Sequence, residues 1–303
     1  QGRMPSVLRQ SGVLVMLAMA LLLAGQSSPA RSSGAQEDYT YLHYLLYLAD
    51  KNPDDAGPKD RIFFKNEIVY CTGTSILAEV NNRAAAMMEQ GNFAGAVDLL
   101  DRALKNSALF FPFRYNLGVS YLHLRDLKKS LLHFRKAQAV VPEYYGTYLQ
   151  MGSIYQQWYR DNEAIDSYRQ ALKWNKNELN TYVLIGDLFF NRNQLQLAKK
   201  YYDQCLRIDH RFNNAVLGKA KVHFKEGDYY KALVTLKAID TRKEYDRAYH
   251  YYYAETSFKL QDYKTASQQY VILLEDKNDK FFITNSVTLI EHKLNLSNRF
   301  IEK

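Results

Sequence analysis

The sequence predicts an all-α fold, a superhelical solenoid of about six helix-turn-helix units with a capping segment at each end. Three observations predict it. Six small residues, Ala84, Gly118, Gly152, Gly186, Ala220 and Ala254, recur 34 positions apart. A second small series follows each by 12 residues: Ala96, Ser130, Ala164, Ala198, Ala232 and Ala266. Between them, each half-period carries apolar residues at helical spacing, not strand alternation. Small residues in a paired, fixed register mark points where two helices cross too closely for a larger side chain.

Residues 1–35 read as an export signal and polar linker. Arg3 and Arg9 precede an apolar run of 13 residues from Val13 to Gly25. A bilayer-spanning helix takes about 20, so a basic n-region with a short apolar core is the secretory pattern. Met4 is a candidate initiator, and cleavage after Ala30 or Ala35 satisfies the small-x-small rule. Leu22-Leu23-Ala24-Gly25 resembles the front of a bacterial lipoprotein signal, but Gln26 stands where that signal needs cysteine. Soluble export, most simply to a periplasm, is therefore expected, with a retained N-terminal membrane anchor as the alternative.

Residues 36–76 are expected to cover the first unit's open end. Asp38 to Asp50 has the apolar spacing of a short amphipathic helix. Asn52 to Pro58 is a loop by its Pro and Gly content. Arg61 to Cys71 is consistent with a hairpin or a short helix. Thr74 or Ser75 is the candidate cap of the first repeat helix.

The units run 77–110, 111–144, 145–178, 179–212, 213–246 and 247–280, numbered below from position 1 to 34. Position 8 and position 20 are the two small series. Position 24 is a large knob: Leu100, Phe134, Tyr168, Tyr202, Leu236 and Tyr270. Position 27 is Ala103, Ala137 and Ala171, then drifts to Cys205, Ile239 and Leu273. Position 11 begins Met87, Tyr121, Tyr155 and Phe189 and weakens to His223 and Ser257. Turns are expected at Gln90-Gly91-Asn92-Phe93 and Glu226-Gly227-Asp228-Tyr229. Residues 281–303, with Phe281, Phe282, Ile283, Val287, Leu289, Ile290, Leu294 and Leu296, predict one more helix as the C-terminal cap, or a face that docks on another protein.

This pattern resembles the tetratricopeptide repeat family, most closely at Leu117, Gly118, Tyr121, Ser130, Phe134, Ala137 and Pro142. Unit 1 departs with Arg83 and unit 5 with Lys219 where an apolar residue is usual, and unit 3 has Asp161 in place of the turn aromatic. The resemblance implies a right-handed superhelix. Its concave face, built from positions 2, 5, 9, 12 and 13 of each unit, would hold a peptide or a partner helix. On those positions the expected partner-binding residues are Tyr115, Leu122, His123, Gln156, Asp187, Phe190, Lys221, Phe224, Lys225, Tyr251, Glu255, Phe258 and Lys259. Phe190, Phe224 and Phe258 would form an aromatic stripe flanked by lysines, suited to an apolar, acidic or C-terminal segment. The N-terminal groove would be aromatic and amide-rich, with Gln150 and Gln157 beside Gln156. The carboxylate clamp of chaperone-binding relatives is missing, since Asn81 and Ala85 occupy its positions.

Chemistry is expected to be absent. The seven histidines are dispersed, with no His-Glu-x-x-His, no Cys-x-x-Cys and no glycine-rich phosphate loop. No catalytic residue, cofactor or metal is expected. Cys71 and Cys205, the only cysteines, are separated by four units and read as free thiols. A formal charge of +8 is scattered, which argues against nucleic acid as partner. The expected function is thus a non-catalytic protein-binding scaffold in a bacterial envelope assembly. The alternatives are an accessory subunit of an envelope enzyme and a self-associating structural component.

Overall fold

The structure, a computed structural model, describes residues 38–39, 62–73, 75–105, 107–239, 247–275 and 286–302. The export-signal reading, the loop at 52–58 and Phe281 to Ile283 lie outside these residues. A small antiparallel sheet comes first: β1 (Asp38–Tyr39), β2 (Ile62–Lys65) and β3 (Ile68–Cys71), in the order β1-β2-β3. Twelve helices follow as six consecutive pairs: α1 (Ile76–Glu89) with α2 (Phe93–Leu104), α3 (Phe111–His123) with α4 (Leu127–Val140), α5 (Tyr145–Gln157) with α6 (Asp161–Trp174), α7 (Leu179–Asn191) with α8 (Leu195–Ile208), α9 (Asn213–Lys225) with α10 (Tyr229–Lys237), and α11 (Arg247–Lys259) with α12 (Tyr263–Leu274). A further helix, α13 (Val287–Ile301), packs on α12.

Position 8 is small because position 24 presses on it. A Cβ built on Gly118 would lie 2.7 Å from the Phe134 ring, and one on Gly186 would lie 2.5 Å from the Tyr202 ring. No carbon pair tolerates such contact, so glycine there lets the knob seat fully. Alanine stands there where the knob is Leu100 or Leu236, and also in unit 6, where Ala254 accompanies Tyr270. Ser130, the one hydroxyl in the second small series, donates to the Gly118 carbonyl at 2.7 Å. The turn within each pair repeats as well. Gly91, Arg125, Tyr159, Asn193, Gly227 and Gln261, all at position 15, take positive φ between 57° and 83°. This is the left-handed residue that ends a helix. Asn92, Asp126, Asp228 and Asp262 then cap the second helix by accepting from a backbone N–H three residues on.

The core reflects the drift seen at positions 11 and 27. One apolar cluster is continuous from Ile62 and Val69 of the sheet through Phe134 and Tyr168 to Tyr202. Beyond it, Leu217, Leu236 and Tyr249 form a separate small cluster, and Tyr270, Leu273 and Ile290 another. At Lys219 the chain departs from an apolar residue and instead pairs with Asp203 at 2.8 Å. Both cysteines are buried and outside any disulfide, and burial pushes the Cys205 thiol up to about 11, so it stays protonated.

Three expectations for residues 36–76 are corrected or resolved. Asp38 and Tyr39 do not begin a helix. They pair as a strand with Phe63 and Ile62, where ladder bonds outweigh the weak propensity of a short helix. Residues 62–71 are a hairpin, whose Ile62, Ile68, Val69 and Cys71 are buried where β3 packs on α1 and α3. Ser75, not Thr74, caps α1, its Oγ accepting from the Ala78 N–H at 3.2 Å.

Candidate functional site

The concave surface already holds one extended segment, the chain's own β3. In that strand, Val69 and Cys71 turn their main-chain groups away from β2 toward the first helices of units 1 and 2. Asn116 accepts from the Val69 N–H at 2.8 Å and donates to the Val69 carbonyl at 2.8 Å. Asn82 treats Cys71 the same way, at 2.8 Å and 2.6 Å. Asn81 adds a donor to the Val69 carbonyl at 2.9 Å and accepts from Asn116 at 3.0 Å. A free sheet edge is a row of unpaired donors and acceptors, and three asparagine side chains satisfy it. Asn82 and Asn116 share position 6 of adjacent units, so the repeat places like amides two strand residues apart.

The hairpin also ends the occupied part of the groove. Its turn, Asn66-Glu67, takes φ of 49° and 64°, both positive as a tight two-residue hairpin requires. Phe64 stacks on Tyr144 with centroids 4.4 Å apart and meets Tyr115 edge-on at 5.4 Å. From there an open groove of about 600 Å³ runs over α5 and α7. It continues into a second stretch of about 450 Å³ over α7 and α9, the two sharing Asn180 and Leu184. The lining follows the repeat. Position 2 supplies Gly146, Asn180, Asn214 and Ala248, position 5 supplies Leu149, Val183 and Leu217, and position 6 supplies Gln150, Leu184 and Gly218. Position 9 supplies Ser153, Asp187 and Lys221.

Sequence comparison decides the family. One model of the tetratricopeptide repeat matches residues 82–144, and a second model of the same repeat matches 145–178 and 179–210. The chain is a tetratricopeptide repeat protein. Among curated relatives, anaphase-promoting complex subunit 3 of Schizosaccharomyces pombe is 26% identical over 151 residues, half of this chain and 23% of the relative. The TPR repeat-containing protein YpiA of Bacillus subtilis is 20% identical over 202 residues, 66% of this chain and 47% of the relative. The chain thus spans less than half the length of either. Two solved structures share the fold. PilW, a type IV pilus biogenesis factor, has a TM-score of 0.57 at 15% identity, covering 72% of this chain and all (100%) of that one. Pseudomonas aeruginosa pilF has a TM-score of 0.58 at 17% identity, covering 72% and 96%.

Within the tetratricopeptide array, the tyrosine knobs do more than pack. Tyr168 donates its hydroxyl to Gln156 at 3.0 Å, Tyr202 to Asp187 at 2.8 Å, and Tyr270 to Glu255 at 2.8 Å. Burial pushes the Tyr168 hydroxyl up to about 12. Burial first, and the adjoining carboxylates second, raise Tyr202 and Tyr270 further, so all three remain donors. Each acid also receives a lysine. Lys221 reaches Asp187 at 3.0 Å, and Lys293 of α13 reaches Glu255 at 2.6 Å.

Of the residues predicted from sequence, Gln156, Asp187 and Lys221 line the open groove. Tyr115 stands at its edge but is only 2% exposed, roofed by Phe64. Leu122 is half-buried against the core, and exposed His123 stacks on Phe93 at 4.1 Å beside the hairpin. The aromatic stripe is not an open platform. Phe190 is 8% exposed, with Lys221 and Lys225 lying over its ring at 5.0 and 4.7 Å. Half-buried Phe224 packs edge-on against Tyr252, and Phe258 against Tyr263. Tyr251 packs on Tyr252. Glu255 is 5% exposed beneath α13, which leaves Lys259 alone exposed at that end.

Two of the three lysines expected at the C-terminal groove are engaged by neighbouring side chains. Lys221 is spent on Asp187 and Phe190, and Lys225 on Phe190. Leu149, Ser153, Asn180, Leu184 and Asn214 were missed. They sit at positions 2, 5, 6 and 9, and all but position 6 belong to the face the family resemblance implies. The aromatic residues at position 12 drew attention because they are larger, though size there serves packing. Among the described residues no His, Cys, Asp or Glu cluster gathers to hold a metal.

Proposed function

We propose that this protein is a non-catalytic scaffold that holds an extended segment of another protein in the groove over α5, α7 and α9. One observation carries the reading: the same concave surface, one unit away, already binds an extended strand through its main chain. The open groove offers apolar floor at Leu149, Leu184 and Leu217 with amides and hydroxyls along it. That mixture suits an extended segment better than a helix, because alternate side chains enter pockets while the main chain finds polar partners. We further propose that the protein works in a bacterial envelope. The support is the basic and apolar pattern from Arg3 to Gly25.

Site-specific photocrosslinking in cells tests it. With the crosslinker at Ser153 or Asn180, adducts should map to one contiguous stretch of a single partner. The same group at Tyr230, 71% exposed on a second helix, should not label that stretch. Equal labelling from Tyr230, or adducts scattered over many proteins, would overturn the proposal.

A further inference from the structure

We infer that the segment held in this groove is anchored by a tryptophan, its ring seated between α7 and α9 and its indole N–H donated to Oδ2 of Asp187. The inference rests on the groove reading above and adds the partner's chemistry.

Asp187 is position 9 of unit 4 and lines the stretch of about 450 Å³ over α7 and α9. Two donors reach it, and both take the same oxygen. The Tyr202 hydroxyl meets Oδ1 at 2.8 Å from the core, and the Lys221 ammonium meets Oδ1 at 3.0 Å from the next unit. Among the described residues none donates to Oδ2. The Asp187 side chain is 37% exposed, so a carboxylate fixed from two sides turns one acceptor to the groove.

Charge narrows the donor. Among the described residues, Asp187 and Lys221 are the only charged members of this stretch, and they pair. Lys221 and Lys225 both lie over the Phe190 ring, at 5.0 and 4.7 Å. A lysine or arginine brought to Oδ2 would meet these two ammonium groups, and a carboxylate would meet Asp187 itself. The donor that fits is uncharged.

The walls narrow it further. Val183, Leu184 and Leu217 are apolar. Position 6 of unit 5 is Gly218, where units 1 to 4 carry Asn82, Asn116, Gln150 and Leu184. The core dictates that glycine, since a Cβ there would lie 2.4 Å from the Tyr202 ring. Unit 5 therefore projects no position-6 side chain beside Leu184, which leaves room for a large group. An apolar wall with one acceptor suits an apolar body with one donor. Indole is that group, because its Nε1–H donates and it carries no acceptor. An amide or hydroxyl side chain would bring an acceptor that Val183 and Leu217 leave unsatisfied. Exposed Asn180 and Asn214, position 2 of units 4 and 5, are left for the segment's main chain.

A positional-scanning library of nine-residue peptides, read by fluorescence anisotropy on the full chain, tests this. Tryptophan should be selected at one position, ahead of phenylalanine. In the best peptide, 1-methyltryptophan keeps the ring and loses the N–H, and should bind about tenfold more weakly. Asp187→Asn reads the same bond from the protein side. Tyr202 and Lys221 both donate at the Oδ1 place, so the amide oxygen stays there and the NH2 takes the Oδ2 place. Tryptophan and 1-methyltryptophan peptides should then bind alike. Thermal unfolding confirms that the variant is folded, and where it is not, the 1-methyltryptophan comparison on the unaltered chain decides. Asn180→Trp, at an exposed position shared by both stretches, fills the groove and separates the two claims. If it abolishes binding while 1-methyltryptophan binds as well as tryptophan, or while another residue is selected, the groove stands and the tryptophan inference falls. A preference for tryptophan over its methylated form that persists in Asp187→Asn also overturns the inference alone. If binding survives Asn180→Trp, the groove reading falls and the inference with it. A library from which nothing binds overturns both.

Discussion

Asn116→Ala probes the clamp on which the functional argument depends. The side chain is fully buried at 0% exposed and makes three bonds: two to Val69 and one to Asn81. Its loss leaves the Val69 N–H unpaired in a site that is also 0% exposed. The Val69 carbonyl keeps Asn81 as donor at 2.9 Å, but the Asn81 carbonyl loses its partner. Two orphaned buried groups, partly offset by local relaxation, cost about 2–4 kcal/mol. In a repeat array this loss stays near its source, because each unit touches only its neighbours. Hydrogen exchange by mass spectrometry should therefore show the loss in peptides covering 62–73. At about 1.4 kcal/mol per factor of ten, exchange there speeds up by about 30- to 700-fold. Peptides from α5 and α6 should change little. Unchanged exchange at 68–71, or an equal change throughout the array, would refute the view that position-6 amides hold the strand.

Three further outcomes are expected. Gly186→Ala pushes a Cβ to 2.5 Å from a Tyr202 ring pinned by Asp187, and urea unfolding should show a loss of about 1–3 kcal/mol. Lys293→Ala leaves Glu255 buried with Tyr270 as its remaining donor. The cost of about 2–4 kcal/mol should appear as faster exchange across 287–301, and an unchanged α13 would show that apolar contacts alone dock it. His133 is held neutral, its pKa lowered from 6.5 to about 4 by burial and then by Arg114, Lys136 and Lys129. The unfolded chain thus binds this proton more readily. Stability should be level above about pH 6.5 and fall toward pH 4, and His133→Gln should flatten that fall.

Much of the architecture was legible because the repeat constrains each unit independently. Gly118, Gly152 and Gly186 with their knobs announce helix crossings that no strand pattern produces. The hairpin was ambiguous for a physical reason. Ile62-Phe63-Phe64 and Ile68-Val69-Tyr70 are short apolar runs whose periodicity fits either element. What decides between them is Asn82 and Asn116, whose pairing with Val69 and Cys71 spans up to 47 residues and leaves no local trace. The groove was half legible. Its positions follow the family resemblance, but its residues were chosen by size. Phe190, Phe224 and Phe258 are large because neighbouring helices need filling, whereas the lining at Ser153, Asn180 and Asn214 is small or polar because it faces an open channel.

The buried tyrosines tie those two surfaces together. Where position 24 is Leu100 or Phe134, position 9 is Ala85 or Val119, apolar and buried. Where it is Tyr168, Tyr202 or Tyr270, the first helix of the same unit presents Gln156, Asp187 or Glu255 to its hydroxyl. A buried hydroxyl needs an acceptor, and the nearest one available lies on the groove side of the crossing helix. Lys221 then follows from Asp187, since a half-buried carboxylate is stabilised by a cation from the next unit. At Gln156, Asp187 and Glu255 the polarity of the concave surface is therefore matched from beneath by a tyrosine knob in the core. A substitution such as Tyr202→Phe would act on the groove without touching a residue that lines it, because Asp187 would lose its buried donor and hold Lys221 alone.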